Sequence, residues 1–282
     1  MDKIAVLVDS GCDIPKELAV EKNIYILPLK INYTDGEYRD GVDITPEQVY
    51  SKLAQEIPKT SLPNGEEILN LFDKIKSDGY NKVLCVTLSS GLSGTNNIIN
   101  IIASDYDGLE IKIIDSKNIA IGAGFLGLLA SDLIQAGQSF DESYQGVLDN
   151  INNSKVFFSV ATLEYLHKGG RIGLVSAVLG SKINLKPIIS CNNEGIYYTI
   201  AKVIGRNQSI KKMLDLVVKY AETGDKYNVC ISHGGAFDEA QKIKQEILKR
   251  LPNVLNVYEG QISPTLGVHT GPGLVGVGIQ LL

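Results

Sequence analysis

Ser89-Ser90-Gly91-Leu92-Ser93-Gly94-Thr95 is the segment of this 282-residue chain whose residue types point most directly to chemistry. It follows an apolar run and precedes a helical pattern. Its backbone N–H groups are therefore expected to face outward at a helix N-terminus, where orphan donors and the positive dipole end favour an anion. The hydroxyls add donors without adding positive charge, although a Gly-Ser turn with Ser93 or Thr95 as a helix cap accounts for the same residues. In Lys59-Thr60-Ser61-Leu62-Pro63-Asn64-Gly65, hydroxyls just before a proline favour extended backbone with side chains free to reach a neighbour. A plain loop feeding the next helix is the alternative. In Gly267-Val268-His269-Thr270-Gly271-Pro272-Gly273 one histidine stands among three glycines and one proline, which reads as a tight loop. An imidazole there can donate to a carboxylate or act as acid or base near neutral pH, or it can be structural. Arg171, after Lys168-Gly169-Gly170, could clamp a carboxylate or phosphate with its planar fork, or sit as a surface charge or interface pair. His167 and His233 lack a partner pattern and read as ordinary polar residues.

Elements that position these segments follow from the apolar patterning. Residues 4–8, 24–33, 83–88 and 111–114 read as strands, and Thr45-Pro46-Glu47 has the chemistry of a helix start. Ile68, Leu71, Phe72 and Ile75 keep the spacing of an amphipathic helix. Strands alternating with helices imply βαβ units and a mainly parallel sheet. In such sheets ligands settle at the carboxyl ends of the strands, and three strand ends here carry Asp9-Ser10, Ser89-Ser90 and Asp115-Ser116. Beyond a change of character at residues 150–155, strands are expected at 156–160, 187–190 and 196–203, with helices around 210–220 and 238–251. The fold class is α/β: two α/β domains, 1–155 and 156–282, the first with a mainly parallel sheet and a ligand site between them. No internal repeat or low-complexity segment is visible.

Composition narrows the function. At 44% hydrophobic and 21% charged, with a net charge of −5, the chain reads as a folded globular protein. Without a run of Lys or Arg, nucleic-acid binding has little to recommend it. Cys12, Cys85, Cys191 and Cys230 form no CxxC pair, which suggests reduced thiols rather than a disulfide frame or zinc site. The opening residues look like a short strand ending in Asp9, not a signal peptide. No apolar stretch approaches the ~18 residues of a membrane span. A cytoplasmic location is the expectation, with no metal and no cofactor.

Taken in order, Val8-Asp9-Ser10, Thr60-Ser61-Leu62-Pro63, the SSGLSGT loop, Lys168-Gly169-Gly170-Arg171-Ile172, Lys186-Pro187-Ile188 and His269-Thr270-Gly271-Pro272-Gly273 resemble the DegV family. Its better-understood members are the fatty-acid-binding subunits of bacterial fatty acid kinase. The resemblance covers essentially the whole chain. It implies a lipid carrier rather than an enzyme, with a long-chain, palmitate-like fatty acid between two domains, tail buried and carboxylate at the strand ends. On that model Thr60 and Ser93 donate to the carboxylate, Ser61 and the Gly94 N–H lie close by, His269 stands near the head group and Arg171 lies at the interface beneath it. Arg206 resembles a basic position that kinase-coupled members use to meet their kinase, and membrane contact would be at most transient, during lipid exchange. Asp9-Ser10-Gly11-Cys12-Asp13 departs from the usual Asp-Ser-Thr-Ala-Asp, and Leu62 and Asn64 stand where Gln and Ser are common. Neither change removes a donor; both bear on the pocket wall.

A long acyl chain of about 15 methylenes, each worth ~0.8 kcal/mol on leaving water, brings ~12 kcal/mol of gross drive before ordering costs. Burial of the tail should therefore dominate affinity, with the hydroxyls fixing orientation. Two other chemistries compete. Ser93 and His269 could act as nucleophile and base in an acyl hydrolase or transferase, but no G-x-S-x-G elbow surrounds Ser93. A phosphate module at the Gly-Ser loop lacks a Walker lysine, since Thr95-Asn96 follows Gly94.

Overall fold

A computed structural model describes residues 2–178 and 185–282. Its elements run β1 (Ile4–Asp9), α1 (Lys16–Glu21), β2 (Ile24–Leu27), β3 (Lys30–Tyr33), β4 (Gly36–Arg39), α2 (Pro46–Lys52), β5 (Lys59–Ser61), α3 (Gly65–Ser77), β6 (Lys82–Thr87), α4 (Thr95–Ser104), β7 (Glu110–Asp115), α5 (Ile121–Gln135) and α6 (Phe140–Asp149). They continue with β8 (Ser154–Ser159), α7 (Glu164–Lys168), β9 (Ile188–Cys191), β10 (Tyr197–Ala201), α8 (Arg206–Ala221), β11 (Tyr227–Gly234), α9 (Phe237–Arg250), β12 (Val254–Gln261), α10 (Pro264–Thr270) and β13 (Leu274–Leu281).

Both faces of the first sheet are covered, as a parallel sheet requires. It has the order β2-β1-β6-β7, every pair parallel. Alternation along each strand sends Ala5, Leu7, Val83 and Cys85 to a core with α3, and Val6, Val8, Leu84 and Val86 to a core with α5. The second sheet, β10-β9-β8-β13-β11-β12, is antiparallel except for the β11–β12 pair. Helices α8 and α9 cover one of its faces, with Met213, Val217, Ile243 and Ile247 packing on Val229, Val275 and Val277.

Helix α5 lies between the two sheets and packs on β1 and β6 of one and β8 and β13 of the other. A helix buried on all sides must be apolar all round: ten of its residues, from Ile121 to Ser131, are buried. Its glycines permit the close approach; a Cβ on Gly127 would fall 2.7 Å from Val8 Cγ1.

Thr60 and Ser61 take the extended backbone expected before Pro63, on β5, with Thr60 paired with Ile31. Two expectations need correction. Residues 24–33 are not one strand: Pro28, which has no N–H for a ladder, divides β2 in the parallel sheet from β3 in a separate three-stranded sheet, β4-β3-β5. His269 is not in a loop. It sits in the last turn of α10, which has proline at its first position and Thr270 Oγ1 donating to the Leu266 carbonyl. Among the described residues no helix is long and apolar enough to cross a membrane.

Candidate functional site

The carboxyl ends of the parallel strands open on a cavity of about 320 Å³. After β6 the chain turns through Leu88 and Leu92 to Ser93 and Gly94, which lead into α4. Thr60 and Ser61 enter from β5, Thr265 and His269 from α10, and Arg171 from the turn after α7. Six of the seven residues singled out from sequence thus line one cavity; Arg206 does not. Its guanidinium is engaged by Glu239, at 2.5 Å, and by the carbonyls of Ser159 and Gly273.

Three of the polar lining groups, Thr60, His269 and Arg171, lie close together. Thr60 Oγ1 and His269 Nε2 lie 2.8 Å apart. Burial, helped by the neighbouring Arg171, lowers the His269 pKa from 6.5 to about 4, so the ring is neutral at physiological pH. His269 Nδ1 and Thr265 Oγ1 are buried with no hydrogen-bond partner among the described residues. Ser93 Oγ lies 2.8 Å from Thr95 Oγ1 and accepts from the Thr95 N–H at 3.3 Å, which ties the serine to the start of α4. Gly94 is the N-cap of that helix; a Cβ there would fall 3.3 Å from Leu62 Cδ1. Arg171 is held by carbonyls, Gly169 at 2.9 Å and Leu92 at 3.4 Å, and among the described residues no carboxylate pairs with it. Ser61, at the exposed rim, accepts from Asn32 Nδ2. A cation with neutral partners, a ring of hydroxyls and a helix N-terminus together suit one anionic group.

The rest of the wall is apolar, formed by Leu29, Leu88, Leu92, Ile119, Leu266 and the Tyr197 ring. Ile119, Tyr197, Leu266 and Thr270 also bound a second, narrow lobe of about 30 Å³. It lies between Ile121 at the head of α5 and Phe158, Gly276 and Gly278 on the second sheet. Sequence patterning missed Tyr197 and Thr265, because strand or helix periodicity marks a buried face without saying whether that face meets neighbours or a void.

A larger cavity of about 390 Å³ has a different character. It is lined by Asp9, Asp13, Glu17, Asp40 and Glu259 together with Lys16, and burial raises the carboxyls of Asp9 to about 7 and Asp13 to about 8. A carboxyl-rich lining of this kind offers an anion fewer donors than the first cavity does. Among the described residues no group of His, Cys, Asp or Glu could hold a metal ion, and all four cysteines are buried and unpaired by disulfides.

Residues 3–281 match the model of a family described as "Uncharacterised protein, DegV family". A DegV domain-containing protein of Clostridium acetobutylicum is 41% identical over 98% of each chain. Among solved structures, a DegV family protein from Thermus thermophilus described by its fatty acid binding superposes with a TM-score of 0.93 at 28% identity, covering 99% of this chain and 100% of that one. DegV of Bacillus subtilis, described as a fatty acid binding protein, gives 0.91 at 27% identity over 100% of both chains. A stearic-acid-binding protein from Eubacterium ventriosum gives 0.90 at 27% identity, covering 99% and 98%.

Proposed function

This chain belongs to the DegV family, and from its cavity we propose that it binds one long-chain fatty acid without turning it over. The carboxylate sits among Thr60, Ser93, Gly94, His269 and Arg171, with Ser61 at the rim, and the tail runs along the apolar wall toward the lobe beneath α5. One observation carries this reading. A single cavity brings the close pair Thr60 and His269, and an Arg171 with no carboxylate partner among the described residues, together with an apolar lining of Leu29, Leu88, Leu92, Ile119 and Leu266. The fatty-acid binding described for the T. thermophilus and B. subtilis proteins, and the stearic acid of the E. ventriosum protein, support the ligand class.

The acyl-hydrolase alternative gains nothing from the geometry. His269 faces Thr60 rather than Ser93, its basicity is depressed, and Ser93 is engaged with Thr95. Neutral donors are suited to a carboxylate that must later react at a partner's site, so we extend the proposal to presentation of the acid to a kinase subunit. Arg206 would act there by shaping the surface around its Glu239 pair. The working division is 1–155 and 156–282. A cytoplasmic setting fits the four reduced, buried thiols.

Native mass spectrometry of the purified protein, before and after delipidation and reloading with palmitate, tests the reading. The result it requires is one fatty acid per chain. A co-purified phosphometabolite, or release of free acid from a model ester that stops in Ser93→Ala, would overturn it.

A further inference from the structure

Tyr197 lines both lobes of the cavity and meets Phe158 edge-on, with ring centroids 5.3 Å apart. Both rings are buried, Tyr197 at 5% exposure and Phe158 at 6%. Beyond them the second lobe offers about 30 Å³ against about 320 Å³ in the first, room for about one water-sized group. The floor cannot yield much. Gly276 stands opposite Phe158 across the β8–β13 ladder, already without a side chain, and even a Cβ there would come within 3.1 Å of the Phe158 Cβ. A tail that fills the first lobe must end at this pair of rings or push them apart.

Resting on the fatty-acid reading above, we propose that Phe158 and Tyr197 form the length stop of the tail cavity and so set which acyl chains the protein prefers. Each methylene that finds apolar contact raises affinity roughly fourfold. A methylene that has to displace two closely packed rings gains no such increment, because overpacking a dense interior is itself unfavourable. Affinity therefore climbs with chain length until the tail reaches the rings, and then levels or falls. Chains that stop short of the pair are the preferred class.

The test is competition of lauric, myristic, palmitic, stearic and arachidic acids against a fluorescent fatty acid on the delipidated full chain. The wild type should show a break in the climb, and Phe158→Leu and Tyr197→Leu should each move the break to longer acids. The ratio of affinities for the longest and shortest acids should rise roughly fourfold for each methylene admitted, with an unchanged circular dichroism spectrum and cooperative unfolding as the control for folding. A wild-type series that climbs without a break, or folded variants whose ratio is unchanged, overturns the length stop and leaves fatty-acid binding standing. A wild type that binds none of the series overturns both.

Discussion

Thr60, Ser93 and His269 are neutral at physiological pH and can donate to a carboxylate without forming a strong charge pair, which leaves Arg171 as the one cation lining the cavity among the described residues. Hydrogen bonds to a charged acceptor are worth more than neutral ones, yet tail burial is the larger gross term. Thr60→Ala should accordingly weaken palmitate binding by ~1–3 kcal/mol, read as Kd by titration calorimetry; unchanged affinity would place the head group elsewhere. Ser93→Ala should cost a similar ~1–3 kcal/mol in binding and, by removing the acceptor for the Thr95 N–H, lower stability by ~1 kcal/mol, the worth of an ordinary hydrogen bond. Gly169 makes a sharper probe of His269. A Cβ there would fall 2.2 Å from His269 Nδ1, so Gly169→Ala should push the ring off Thr60 and weaken binding although position 169 is not part of the cavity wall. Equal affinity in this variant would show that the Thr60–His269 contact does not matter.

Helix α5 carries the junction between the sheets, and its N-cap is strained. Ala120 has φ 50° and ψ −144°, a region that glycine visits freely and alanine does not. Ala120→Gly should therefore stabilise the protein by ~1 kcal/mol despite the usual entropic cost of glycine, seen as a higher urea midpoint; a lower midpoint would contradict the strain. Sequence made the parallel sheet legible because β1, β6 and β7 are apolar runs each followed by a helical pattern, and it flagged the loop into α4 through its donors. It misjudged α10, where three glycines and a proline suggest a loop. Tertiary packing of α10 against α2 and α7 overrides weak local propensity in so short a helix. The small sheet around β3 was hidden for a related reason: β4 and β5 are mostly exposed and have little apolar alternation to read.

At the scale of the whole molecule, two of the cavities among the described residues differ in character: one gathers hydroxyls and an arginine, and the other concentrates carboxyls. The carboxyl cluster makes stability depend on pH. Asp9 and Asp13 titrate at about 7 and about 8 when folded, against 3.8 when unexposed to burial, so the folded state holds the extra protons and stability is lost as pH rises through those values. His269 runs the other way: an unfolded chain protonates it near 6.5 and the fold only near about 4, so its contribution is lost as pH falls through that interval. Above about pH 6.5 the His269 imidazole is neutral in both states and the carboxyls set the direction, joined toward the top of the range by the four thiols, which burial also holds protonated. Denaturation midpoints should fall from about pH 6.5 to about pH 8.5, and Asp13→Asn should flatten that slope; a flat wild-type profile would contradict the burial of these groups. The most direct check on the central claim is a crystal structure of the chain loaded with palmitate. The account places the carboxylate within hydrogen-bond distance of Thr60, Ser93 and His269, with the tail between the two sheets toward Tyr197 and Phe158. Palmitate density in the Asp9–Asp13–Asp40 cavity, or on the outer surface with the inter-sheet cavity unchanged, would contradict it.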